Sequence, residues 1–216
     1  MRQACSLAFK MITALCLAVV LLGVCLLPAG CGLSGGSQPP PSPSPEEQLA
    51  QHVQVFRDNL VILERKVHDY VNDERVKAGL PALDWEDALN RIARYHSEDM
   101  ATRDYFNHVS PEGETFSDRY KKFGYNCSRQ VGMAVYMGGE NLLMNNVSDY
   151  YTYDETTGEI LEYHFLSLED LAANAVSGWM GSPEHRENVL FPHFQKEGIG
   201  IYVTDSGKVY ITENFC

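Results

Sequence analysis

Apolar residues recur at Leu49, Val53, Phe56, Leu60, Leu63, Val67 and Tyr70, alternating steps of four and three. That period is one face of an α-helix, and it predicts a single long helix ended by Gly79, with Pro81 just beyond. Such a stripe serves either a partner helix or the domain's own core. A second helix is expected from the capped start Asp84-Trp85-Glu86-Asp87 to about Arg103, with Leu89, Ile92, Ala93, His96 and Met100 on one face. His96 on that stripe reads as a core histidine with its hydrogen bonds met. Ser167-Leu168-Glu169-Asp170 opens a third helix to about Met180, with Leu171, Ala175, Val176 and Trp179 inward. A short fourth helix starts at Pro183 with Ser182 as its N-cap.

Period-two patterning marks the strands. Tyr150–Tyr153 and Ile160–Phe165 flank a turn containing Thr157-Gly158 and predict a β-hairpin. Its tyrosines, Tyr150, Tyr151, Tyr153 and Tyr163, suit either cross-strand pairing or stacking on a sugar or partner. Ile199, Ile201 and Val203, then Asp205-Ser206-Gly207, then Val209 and Ile211 predict two paired strands at the C-terminus. Asn107 to Asn146 reads as loop-rich, with Gly113, Gly124, Gly132, Gly138 and Gly139. Helices and strands interleave without a regular βαβ rhythm, so the pattern predicts an α/β sandwich with a mostly antiparallel sheet.

The N-terminus changes the setting. Met11 to Leu27 is apolar apart from Thr13, and Pro28-Ala29-Gly30-Cys31 follows, small residues leading to a cysteine. This resembles the lipobox of prokaryotic lipoproteins, with Pro28 where leucine is usual. Residues 1–31 therefore read as a targeting segment, with Cys31 the lipidation site; an ordinary signal peptide and an uncleaved anchor are the alternatives. All three place the domain outside the cytoplasmic membrane. Twelve of the 14 residues from Gly32 to Pro45 are Gly, Ser or Pro, so 32–45 reads as a tether, its proline-rich half extended at about 3.1 Å per residue.

Charge narrows the partners. The whole chain carries −12 at pH 7; with Arg2 and Lys10 removed, 15 basic residues face 29 acidic ones, a net −14. Such a surface argues against nucleic acid and against charge-driven binding to anionic lipid, leaving acyl chains or the N-terminal segment to hold the protein at the membrane. Cys5, Cys16 and Cys25 fall in the targeting segment, so only Cys127 and Cys216 remain beside Cys31. In an oxidising compartment these two most simply pair, two free thiols being the alternative. Asn126-Cys127-Ser128 and Asn146-Val147-Ser148 fit the N-glycosylation pattern.

Three stretches place polar groups where packing does not call for them: Phe106-Asn107-His108-Val109-Ser110-Pro111, Gly138-Gly139-Glu140-Asn141, and Ser182-Pro183-Glu184-His185-Arg186-Glu187-Asn188. In the last, His185 falls in the first turn of a helix, where the dipole disfavours an imidazolium. A neutral imidazole binds metal or accepts a proton. Neither HExxH nor another ligand spacing is present, so the spacing alone carries little metal signal.

Taken in order, these stretches resemble the CAP domain, shared by cysteine-rich secretory proteins, insect antigen 5 and plant pathogenesis-related proteins, in its prokaryotic SCP-like form. The resemblance is carried also by Asn72-Asp73-Glu74-Arg75, Gly79-Leu80-Pro81-Ala82-Leu83, Ala93 to Met100, Gly178-Trp179-Met180-Gly181, Gly198-Ile199-Gly200-Ile201 and Tyr210 to Phe215. It spans 60–216 and leaves 46–59 as an N-terminal helical extension. It implies a three-layer α-β-α sandwich whose cleft is lined by two histidines and two acids and which, in some members, holds a divalent metal such as zinc. His108 matches the first histidine, Glu140 the first acid and His185 the second histidine. Ser182 stands where the second acid is found in animal and plant members, with Glu184 a nearby substitute of different direction. No complete catalytic set is present. The resemblance implies a binding module for a small apolar ligand, an envelope component or a partner protein. The alternatives are a metal-assisted hydrolase or peptidase using His108, Glu140 and His185, and a structural domain with a non-catalytic polar network.

Overall fold

The computed structural model describes residues 42–216. Its elements are α1 Pro45–Asp58, α2 Leu60–Lys77, β1 Asp84–Trp85, α3 Asp87–Thr102, α4 Phe116–Lys122, β2 Arg129–Val131, β3 Ala134–Tyr136, β4 Gly139–Asn146, β5 Ser148–Tyr153, β6 Ile160–Phe165, α5 Leu168–Gly181, α6 Pro183–Val189, β7 Lys196–Val203 and β8 Lys208–Phe215. The targeting segment, Cys31 and most of the proposed tether lie outside the described residues.

The central sheet has the order β1-β7-β8-β4; β7–β8 and β8–β4 are antiparallel and only the two-residue β1 runs parallel to its neighbour. α3 covers one face, and α2 and α5 the other, which makes three layers with a mostly antiparallel centre. The larger core lies on the α2–α5 side, where Leu63, Val67, Leu171, Val176 and Trp179 meet Ile199, Ile201, Ile211 and Phe215 of the sheet. On the α3 side Gly198 and Gly200 face the helix: a Cβ at Gly200 would lie 2.0 Å from Arg94 N, and one at Gly198 2.1 Å from Asn90 N. The Gly-Ile-Gly-Ile stretch thus sends its isoleucines into one core and lets the α3 backbone rest on the strand from the other side.

Alternation along β8 and β4 sorts the polar residues too. Thr212, Asn214 and Glu140 face α3, whereas Glu213 and Asn141 face α2 and α5.

Three expectations are corrected. The predicted long helix is broken at Asn59, whose backbone leaves helical geometry (φ −117°, ψ 19°) while its side chain donates to Val55 O at 2.7 Å. Val53 and Phe56 of α1 and Leu63, Val67 and Val71 of α2 still enter one core, so the period survives the break. The stretch Asn107 to Asn146 holds α4, β2, β3 and β4. Its strand β4 begins with four buried residues, Gly139 to Leu142, two of them polar, which conceals the alternation. Finally, Ser182 precedes α6 but its hydroxyl makes no capping bond.

The tyrosine hairpin forms as expected, and its rings pair across the strands. Tyr150 stacks on His164 with centroids 4.0 Å apart, and Tyr151 faces Tyr163 at 6.0 Å.

Candidate functional site

Glu140 organises the site. It enters on β4 directly after Gly138 and Gly139; Gly138 adopts φ 101° and a Cβ there would meet Phe215 O at 2.6 Å, so the bend into the strand requires glycine. The carboxylate is buried and its oxygens are crowded with donors. Arg119 Nη2 of α4 donates to both, at 3.0 and 2.7 Å, and is itself fully buried. His108 Nδ1 lies 3.0 Å from Oε1. The Asn214 amide, oriented by its surroundings, donates to Oε2 at 3.2 Å and accepts from Ala93 N at 3.3 Å.

Facing a carboxylate, His108 Nδ1 carries the hydrogen and Nε2 is left as a lone-pair acceptor on a half-exposed ring. The His108 loop is pinned from below, with its carbonyl accepting from Arg119 at 3.0 Å and Asn107 Oδ1 accepting from Val109 N at 2.9 Å. His96 supports the same loop by donating from Nε2 to Asn107 O at 3.1 Å. Its Nδ1 is buried with no hydrogen-bond partner, so it is a core histidine only half satisfied, a correction to the expectation. Burial pushes its pKa down to about 4.

His185 is brought to the same end of the sheet by α6. Asn141 Nδ2 donates to its carbonyl at 3.2 Å, and Asn188, one turn on, donates to Glu140 O at 3.3 Å and to Asn141 Oδ1 at 2.9 Å. Its imidazole is held neutral chiefly by burial and next by the proximity of His108. Glu184 is exposed and acts on His185 only through its charge. A cavity of about 450 Å³ opens at His108, with Val109, Thr115, Phe116, Glu140 and Asn188 in its walls; His185, Ser182 and Glu184 are not among them.

The family's metal does not fit this arrangement. Glu140 accepts from Arg119 and His108 at Oε1 and from Arg119 and Asn214 at Oε2, so it offers no lone pair directed at a third ligand position. Among the described residues no group of three or more His, Cys, Asp or Glu side chains is placed to hold a metal ion. Two neutral imidazoles fall short of the three protein ligands usual for catalytic zinc. Ser110 is not placed as a nucleophile: it is buried, donating to Glu112 and accepting from Glu114 N, each at 3.2 Å.

Arg119 escaped the sequence reading. It sits among Lys121 and Lys122 in a stretch that looks like a solvated basic patch. The one local signal was Thr115-Phe116-Ser117-Asp118, which forms a capping box and starts α4. Cys127 and Cys216 are bonded, with Cα atoms 5.5 Å apart, tying the end of β8 to the loop below Gly138.

Fold and cleft together define a class, an α-β-α sandwich with a histidine–carboxylate cleft at one end of its sheet. The family model for CAP, the cysteine-rich secretory protein family, matches residues 68–215, and the chain belongs to that family. The Bacillus subtilis protein YkwD is 32% identical over 152 residues, covering 70% of this chain and 46% of its own length. The Bacillus subtilis membrane protein YlbC is 29% identical over 152 residues, 70% of this chain and 34% of its own length. The chain thus spans less than half the length of the curated relatives it matches. A solved extracellular protein containing an SCP domain, from Bacillus anthracis, superposes with a TM-score of 0.51 at 26% identity, covering 71% of this chain and 39% of that one.

Proposed function

We propose that this chain is an extracytoplasmic CAP-domain binding module, held at the membrane by its N-terminal segment through Cys31, whose cleft at His108 receives a small apolar ligand, an envelope component or a partner. The observation that carries the reading is the Arg119–Glu140 pair. With Arg119, His108 and Asn214 donating to it, the Glu140 carboxylate has no lone pair to give a metal, so the site is built for shape and hydrogen bonding. The exposed side chain of Val109 and the ring of Phe116 give the cavity's wall an apolar part. The disulfide suits an oxidising compartment, and the relatives described as an extracellular protein and a membrane protein support the location.

One observation favours catalysis instead. A histidine oriented by a carboxylate, with Nε2 free, is the arrangement of a general base. The two readings separate in one experiment. The protein is purified from its own envelope and extracted into organic solvent, and the extract is compared by mass spectrometry with that of Val109→Asp. A binding module yields a compound that the variant lacks. Matching extracts, together with hydrolysis of envelope peptides or esters that His108→Ala abolishes, would overturn the proposal.

A further inference from the structure

Three motif residues play no direct part in binding at the cleft: Asn72 after His68 on α2, Asn141 on β4 and Glu213 on β8. They meet on the α2 side of the sheet, around Glu197 of β7. Hydrogen-bond directions there are fixed from both ends. Asn72 Oδ1 accepts from Leu83 N at 2.6 Å and its Nδ2 donates to Leu83 O at 3.1 Å, which sets the amide's orientation. The same Nδ2 lies 3.2 Å from His68 Nε2, so Nε2 is the acceptor nitrogen. His68 Nδ1 therefore carries the hydrogen and donates to Glu197 Oε1 at 2.5 Å. From the other end, Asn141 Nδ2 donates to Glu213 Oε2 at 2.9 Å, its Oδ1 being held by Asn188.

The outer oxygen of each carboxyl is thus an occupied acceptor. The inner ones, Glu197 Oε2 and Glu213 Oε1, have no hydrogen-bond donor among the described residues, and the two side chains are diagonal neighbours on one face of paired strands, Glu197 lying opposite Phe215 and Glu213 opposite Ile199. Both residues are completely buried. Two carboxylates buried side by side disfavour double ionisation, and one proton between them satisfies both orphan atoms.

We propose that Glu197 and Glu213 share one buried proton at neutral pH, and that its loss sets the two carboxylates in repulsion and perturbs Asn141, which joins Glu213 to α6, making the cleft's α6 wall responsive to pH. The charge balance agrees. From α2, Arg75 is fully buried and donates to the carbonyls of Pro81, Val189 and Phe191, at 3.0, 2.7 and 3.0 Å. Its single positive charge offsets one carboxylate and leaves a second uncompensated. The remaining charged neighbours are Arg65 and Asp69 of α2 and Asp84 of β1, which act on His68. Beyond Glu213, β4 presents only the Asn141 amide and α6 only the His185 carbonyl. Burial raises Glu197 to about 8 and Glu213 well above the ordinary carboxylate range, while it lowers His68, so the imidazole does not supply a compensating charge.

The sign follows. The folded state keeps a proton that the unfolded chain releases near pH 4.5, so this contribution is fully present below that pH and is lost as pH rises through about 8. The inference does not depend on what the cleft binds.

Glu213→Gln tests it, because the amide can donate permanently to Glu197 Oε2 and still accept from Asn141. On the full chain in detergent micelles, a wild-type glutamate carboxyl carbon should titrate near pH 8. The Asn188 side-chain amide should shift with the same midpoint. The folding equilibrium constant should fall about tenfold more per pH unit between about pH 5 and 8 than that of Glu213→Gln. Should that variant not fold, Glu197→Gln makes the same comparison with its amide donating to Glu213. Wild-type carboxyls that all titrate below pH 6, or an Asn188 amide that ignores the titration, would overturn the proposal.

Discussion

Arg119 Nη2 donates to both oxygens of Glu140, at 3.0 and 2.7 Å, with both side chains out of contact with water. Among the described residues neither has another lysine or arginine, aspartate or glutamate paired with it, so each charge is tolerable chiefly because the other is present. Arg119→Met should therefore cost about 3–5 kcal/mol of stability by leaving Glu140 buried and unpaired. The double variant Arg119→Met/Glu140→Met should recover much of that loss. Urea denaturation of the two single variants and the double one measures the coupling, and additive losses would speak against a mutually dependent pair.

His96 makes the fold acid-sensitive. Its pKa lies at about 4 because burial disfavours the charged ring, against 6.5 when unfolded. The stability it contributes is fully present above pH 6.5 and is lost as pH falls through about 4. Within that window each pH unit lost should cost the wild type about 1.4 kcal/mol more than it costs His96→Phe. Denaturant midpoints at intervals from pH 7 to pH 4 provide the check; parallel curves for the two proteins would remove His96 as the cause.

Gly200→Ala should be far worse than a strand-propensity scale implies. The new Cβ would lie 2.0 Å from Arg94 N and 2.2 Å from Ala93 C, both main-chain atoms that cannot rotate away. Lifting α3 off β7 is the available relief, and a loss beyond about 4 kcal/mol is expected. Thermal unfolding of Gly200→Ala beside Gly181→Ala, where the new Cβ would have open space, isolates the effect.

The Cys127–Cys216 bond closes a loop spanning 89 residues. In the chain-entropy account its removal should cost about 4–5 kcal/mol. Because it anchors the loop beneath Gly138, Cys127→Ser/Cys216→Ser should also disturb resonances of His108, whereas a purely entropic staple would leave them in place.

Sequence periodicity revealed what local patterning controls. α3 and α5 were legible because each buries one face along its length, and the β7–β8 pair because its isoleucines and valines alternate onto one face of strands joined by a turn at Asp205-Ser206-Gly207. β4 was not, since Glu140 and Asn141 are buried polar residues that read as loop until their partners from α4, α6 and β8 are known. Asn59 breaks the first helix without glycine or proline, through a side-chain bond to its own preceding turn. Of the expected trio, His108 and Glu140 are in contact and His185 stands beside their cavity. The fact that decides their chemistry, Arg119 on Glu140, arises from tertiary placement alone. So does the meeting of Glu197 with Glu213.

The most direct measurement is zinc titration by calorimetry on the wild type, His108→Ala, His185→Ala and Glu140→Gln. With Glu140 committed to Arg119, Glu140→Gln should leave any zinc heat unchanged, whatever the two histidines bind by themselves. A saturable one-to-one site that Glu140→Gln abolishes along with both histidine variants would contradict the account and restore a three-ligand metal centre.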